Sequence, residues 1–228
     1  MIKILKLILL TKKVVLIMTK KIVCNQQCRF CKIAGGKYEL GIIDTPILEN
    51  DKYMAVLSLG GFIEGWTLII PKEHMVSMKN FYKDIEFKLF VNKTMNLLRK
   101  VYDTGFIIFE HGANHEGSLI ACSTNHAHLH VVPYNRSLIE EMKSKDKKWI
   151  ECTIDTIEEV VQENEYWFYA ENVTNIETVT GMVHLIKKVE SQYFRKILAK
   201  QENCLEKFNY KEYGHTSIVQ RTYEKIKR

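Results

Sequence analysis

The sequence predicts an α+β fold, and three observations carry that reading. Two short apolar runs bounded by turn residues lie close together, a stretch with helical spacing follows, and two more strand-like runs come after it. YMAVLSL (53–59) and WTLIIPKE (66–73) are the first two strands, joined by the Gly-containing turn GGFIEG. Residues 80–102 place Phe81, Ile85, Leu89, Leu98 and Val101 at helix-like intervals, and Asp103, Thr104 and Gly105 stop the helix. GFIIFE (105–110) and NHAHLHVVP (125–133) are the next strands; the two glycines of GANHEGSLIACST between them suit a loop or hairpin. The unit reads β-β-α-β-β and ends near residue 135.

The tail has a different character. Residues 136–165 are charged and helix-prone, with Ile150, Ile154, Ile157, Val160 and Val161 on one apolar face. YWFYAE (166–171) and TVTGMVHLI (178–186) form a predicted hairpin, and residues 190–208 and 215–228 are expected to be helical. The expected division is a leader or upstream extension over 1–21, a catalytic domain over 22–135 and a C-terminal extension over 136–228 packed on it.

Composition excludes several classes. Of 228 residues, 46% are hydrophobic and 11% aromatic, which suits a packed core and not a disordered chain. The net charge of +6 comes from 33 basic against 27 acidic residues, but six lysines and no acid fall within residues 1–21. The remainder balances, so the charge describes a leader and gives no indication of extended nucleic acid as partner. Lys12 and Lys13 split the leader's apolar part and no small-residue cleavage site follows. Met18 is therefore the expected start rather than Met1, against an extra strand, an amphipathic segment or a targeting sequence. No apolar run reaches the roughly 18 residues of a membrane-spanning helix. Three of the six cysteines crowd at 24, 28 and 31, which suits a metal in a reducing compartment, so a cytoplasmic protein is expected.

The most informative stretch is His126-Ala127-His128-Leu129-His130-Val131-Val132. In a strand, alternate side chains share a face, so the three imidazoles point one way while Ala127, Leu129 and Val131 pack on the other. Three buried imidazoles without partners would be costly. A metal cage and phosphate chemistry are the two readings left. Cys28 and Cys31 have the two-residue gap that lets both thiolates reach one zinc, and His74 at a strand end could add a third ligand.

Taken in order, these motifs resemble the histidine-triad (HIT) superfamily of nucleotide hydrolases and transferases. The likeness covers residues 28–133: a Cys-x-Phe-Cys-x-Ile start at Cys28 to Ile33, a Leu-Ile-Ile-Pro-Lys-x-His strand at Leu68 to His74, and the triad itself. It implies an antiparallel sheet with a long helix, here followed by the mixed C-terminal extension. It implies a structural zinc on Cys28, Cys31, His74 and His126. The middle histidine, His128, would attack an α-phosphorus to give a nucleotidyl-histidine, and His130 would hydrogen-bond the phosphate. Dinucleoside polyphosphates and nucleoside phosphoramidates are the implied substrates, and a homodimer with joined sheets is the implied assembly.

The chain also departs from the family pattern. Cys122 stands where many members carry a phosphate-contacting Gln; Ser123 matches a phosphate-binding Ser, and Asn114 is a nearby candidate. Ser58 stands where a ribose-binding Asp is common, and Gly65-Trp66 replaces a common Gly-His. Glu110-His111-Gly112 and Ser191-Gln192-Tyr193-Phe194-Arg195 point to a branch with a helical C-terminal extension, in which Arg195 or Gln192 would reach the substrate phosphates. Two other functions remain open: a nucleotide- or RNA-binding module without turnover, and a metallohydrolase with all three histidines on one ion.

Overall fold

Strands whose side chains are apolar on both faces must be covered on both sides, and that requirement organises this chain. The computed structural model describes residues 25, 27–121, 124–143, 147–188 and 190–228; the leader, Cys24, Cys122 and Ser123 lie outside them. The elements begin with helix α1 (Arg29–Ala34), strands β1 (Leu48–Glu49), β2 (Tyr53–Leu57) and β3 (Thr67–Pro71), and the long helix α2 (Ile85–Arg99). Strands β4 (Phe106–Gly112) and β5 (Leu129–Pro133) follow, then α3 (Ile139–Met142), β6 (Ile150–Thr153) and α4 (Ile157–Val161). Strands β7 (Tyr166–Ala170) and β8 (Thr180–Leu185) and helices α5 (Tyr193–Gln201) and α6 (Thr216–Lys227) complete the fold. All eight strands form one sheet in the order β1-β2-β3-β5-β4-β7-β8-β6, and every pairing is antiparallel.

Period-two alternation sorts the side chains into two cores. Tyr53, Ala55, Ile69, Ile108, Leu129 and Val131 face α2, whose Phe87, Val91, Met95 and Leu98 fill that side. Met54, Leu68, Phe109, Val132, Trp167 and Tyr169 face the other way, beneath Phe30 of α1 and Phe194 and Leu198 of α5. Helix α2 starts later than its apolar spacing suggests because the Asp84 carboxylate accepts from the Glu86 amide and caps it there. Among the described residues, no helix is long and apolar enough to cross a membrane.

Two expectations need correction. The stretch 136–165 is not a run of helix, since Ile150–Thr153 is a strand paired with β8. Its isoleucines at 150 and 154 fit a period of two as well as one of 3.6, and the open edge of β8 decides between them. The triad strand is also shorter than 125–133. Its ladder begins at Leu129, because the Ala127 amide donates to Met75 O instead of to a neighbouring strand. Alternation nevertheless persists through the bend, with Ala127, Leu129 and Val131 packed together in the α2-side core.

The tail continues the sheet. Strand β7 pairs with β4 from Ile108↔Ala170 to Gly112↔Tyr166, so the sheet runs without a break from the first half of the chain into the second. Gly112 makes this pairing possible: a Cβ there would lie 2.1 Å from a ring carbon of Tyr166.

Candidate active site and metal cage

Four residues named from the sequence converge at one end of the sheet. Cys28 precedes α1 and Cys31 lies within it, His74 follows β3, and His126 precedes β5. Their ligand atoms all lie within 4.8 Å of one another, the one such group among the described residues. The His126 Nδ1 atom is 3.3 Å from Cys28 Sγ, 3.7 Å from Cys31 Sγ and 3.3 Å from His74 Nδ1, and Cys31 Sγ is 3.2 Å from His74 Nδ1. Ligands at zinc bond lengths in a tetrahedron stand roughly 3.3–3.8 Å apart, so the donor set fits such an ion.

Outer contacts fix which nitrogen faces inward. A carbonyl or carboxylate only accepts, so His126 Nε2–H donates to Pro71 O at 2.8 Å and His74 Nε2–H donates to Glu116 at 3.0 Å. Both imidazoles then present an unprotonated Nδ1. Burial lowers the His126 pKa to about 4, which keeps it neutral and suited to ligation.

The other two triad members are set differently. The His128 Nδ1–H donates to the His126 carbonyl at 2.8 Å, leaving the Nε2 lone pair available. The Trp66 indole can only donate, so its contact at 2.9 Å makes His130 Nδ1 an acceptor and puts the His130 proton on Nε2. Phe109 stacks on His130 at 4.3 Å and holds its ring. Burial lowers the pKa of both imidazoles, so His128 is a neutral base and His130 a neutral donor. The departure at Trp66 thus has a structural meaning: it supplies the N–H that sets the tautomer of His130.

His128 and His130 line a cavity of about 60 Å³ shared with Ser58, His111, Gln192 and Arg195. Ser58 is buried there, at the position of the family's ribose-binding Asp. Arg195 is only 4% exposed, so it does not sit on a solvated helix face. Its Nε donates to Phe208 O at 2.8 Å, a terminal nitrogen donates to Gly60 O, and the guanidinium lies 4.8 Å from the Trp66 ring. Gln192 adopts φ 57° at the start of α5, which turns the chain there. Asn114 is not brought to the histidines; it is exposed and donates to Glu163 O. Ser123 lies outside the described residues.

Tyr210 and Arg29 also line the cavity, and nothing in the sequence singled them out. His111 is the more telling omission. It lies two residues beyond Phe109 on β4, faces the same side, and carries a buried Nε2 with no hydrogen-bond partner among the described residues. Burial, with lesser effects of His128 and Arg195, lowers its pKa to about 3. The preceding residue points to the opposite face, where the Glu110 carboxylate accepts from the Tyr82 and Tyr166 hydroxyls at 2.6 Å each and from the Met78 amide. Strand alternation could have found both roles, once β4 was placed beside the triad strand.

No protein-family model matches the chain. Protein hit of Bacillus subtilis (strain 168) is 27% identical over 110 residues, covering 48% of this chain and 72% of that protein. An uncharacterized HIT-like protein of Methanocaldococcus jannaschii is 29% identical over 108 residues, 46% of this chain and 78% of its own. Among solved structures, a HIT family protein from Bacillus anthracis is 25% identical with a TM-score of 0.38, over 49% of this chain and 76% of that one. A histidine triad protein from Clostridium difficile is 24% identical with a TM-score of 0.40, over 50% and 95%. Taken with the three motifs, the curated relatives support the assignment of the chain, over about half its length, to the HIT superfamily of nucleotide-binding hydrolases and transferases.

Proposed function

We propose that this protein is a zinc-containing nucleotide hydrolase or nucleotidyltransferase acting at an α-phosphate through a nucleotidyl-histidine intermediate. The observation that carries the reading is the opposed pair of tautomers: an Nε2 lone pair on His128 beside an Nε2–H on His130. A neutral, oriented imidazole is a competent nucleophile, and a fixed donor beside it suits the charge that develops on phosphate oxygens. His128 Nε2 forms a bond to the α-phosphorus while the bond to the leaving group breaks. Water, or a second phosphate, then takes the nucleotidyl group and restores His128. Gln192 and Arg195 meet the substrate phosphates, with Ser123 joining them as the resemblance implies.

The cavity beside the two histidines is lined by Ser58, His111, Gln192 and Arg195, groups suited to meeting a phosphate. Cys28, Cys31, His74 and His126 would hold zinc as a closed structural site that pins α1 to the triad strand. The reading of all three histidines on one ion loses support because His126 belongs to the cysteine cage and Trp66 occupies His130 Nδ1.

The homodimer that the resemblance implies, if it joins sheets, would among the described residues use the edge strands β1 or β6, since β7 of the same chain holds the second edge of β4.

The test is a phosphorus NMR screen of dinucleoside polyphosphates and nucleoside phosphoramidates with the natural chain and His128→Ala. Turnover by the natural chain alone is expected. Binding without turnover by either protein would leave a nucleotide- or RNA-binding module.

A further inference from the structure

A second cavity, of about 710 Å³, lies on the other side of the start of α5. Gln192 and Arg195 line the histidine pocket, whereas Glu190 and Lys196 line this one. Four more lysines complete it: Lys147, Lys148, Lys187 and Lys188. Glu190 is the one acid in the lining and pairs with Lys147 at 3.4 Å. Among the described residues, no ion pair is recorded for Lys148, Lys187, Lys188 or Lys196. The chain beyond residue 21 is neutral, so five lysines around one concavity are a local concentration of charge, although Lys147 Nζ also lies over Trp167 and Tyr193 and Lys196 Nζ over Phe208.

We propose that this cavity binds a compact polyphosphate, an anion of three or more linked phosphates. Like charges gathered around a concave, low-dielectric wall repel one another and focus a positive potential that a multiply charged anion relieves. Part of the floor is rigid, because Ile150 belongs to β6 and His184 and Leu185 to β8. His184 is held by Nδ1–H donation to Lys148 O at 2.9 Å and by stacking on Trp167 at 5.3 Å.

The shape and the aromatics argue against larger partners. A concave site of this size suits a compact anion better than a flat bilayer. Single-stranded nucleic acid wants open aromatic faces for its bases. Here Trp167 and Tyr193 are buried against each other, with ring centroids 4.0 Å apart. The cavity is also close to the histidines. His111 pairs with Trp167 and Trp167 with His184 across adjacent strands, so the two sites are about 10 Å apart along the sheet. Binding in this cavity does not depend on the chemistry proposed for His128.

The experiment is calorimetric titration of the full chain with sodium tripolyphosphate. The expected result is one binding event that weakens at least about tenfold from 50 to 200 mM salt. It should weaken by a similar factor in Lys148→Gln/Lys187→Gln/Lys188→Gln, whose side chains are exposed and whose loss leaves circular dichroism unchanged. Binding should persist in His128→Ala. Unchanged affinity in the triple variant, or loss of binding in His128→Ala, would overturn the proposal by placing the anion elsewhere. Tighter lysine-dependent binding of a single-stranded oligonucleotide or of anionic vesicles would overturn it in favour of those partners.

Discussion

His126 and His128 are two residues apart on the same face of the same segment, yet they are prepared for opposite tasks. The Pro71 carbonyl accepts from the Nε2–H of His126 and leaves Nδ1 to face two cysteine sulfurs. The His126 carbonyl accepts from the Nδ1–H of His128 and leaves its Nε2 lone pair available beside the cavity. Burial keeps both rings neutral. What separates the proposed metal ligand from the proposed nucleophile is one backbone acceptor on each ring. The alternation that puts three histidines in a row does not by itself assign their roles.

The largest effect should come from breaking the nucleophile. His128→Ala is expected to lower turnover by about 10⁴-fold or more, with metal content and melting temperature unchanged. Breaking the cage should do the reverse. Chelation, or Cys31→Ser, should lower Tm by about 10 °C or more, with activity lost only as the fold is lost. Loss of activity on chelation at an unchanged Tm would make the cage part of the chemistry. Trp66→Phe keeps the packing and removes the donor that sets the His130 tautomer. A missing buried hydrogen bond costs about 1–3 kcal/mol of stability, so Tm should fall by about 2–10 °C, and loss of the fixed His130 donor should lower kcat by about 10- to 100-fold.

The opposite face of β4 offers the mildest test. Burial raises the Glu110 pKa to about 7 despite three donors. Between about pH 4.5 and 7 the folded chain holds a proton that the unfolded chain releases, so stability should fall as pH rises through that window and level off above it. The shift amounts to on the order of 3 kcal/mol. Denaturant titrations across pH should show this slope in the natural chain and a flatter one in Glu110→Gln. The same slope in both would remove Glu110 from the account.

Much of this was legible from residue pattern. The four cage residues and the two remaining triad histidines lie within sequence motifs, and the resemblance those motifs carry, more than their spacing, grouped them before the fold brought the four ligand atoms together. The contribution of the tail was not legible in the same way. Ser191 to Arg195 reads as the start of an amphipathic helix. Only the stacking of Tyr193 on Trp167 and the packing of Phe194 on Phe109 show why Arg195 turns inward. The motif Glu110-His111-Gly112 gave His111 no role, because that role depends on which strand lies beside β4, a long-range choice that local periodicity does not encode. Asn114 is a related case: closeness along the chain to the triad does not bring it to the histidines, and it donates instead to Glu163 O.

The central claim is that His128, and neither of its neighbours in the triad, carries the nucleotide. The most direct test is acid-free quenching during turnover of a nucleoside phosphoramidate, followed by proteolysis and mass spectrometry of the peptide spanning residues 124–136. A nucleotidyl adduct on His128, absent from His128→Ala, is the predicted result. An adduct on His126 or His130, or turnover with no adduct on any histidine, would contradict it.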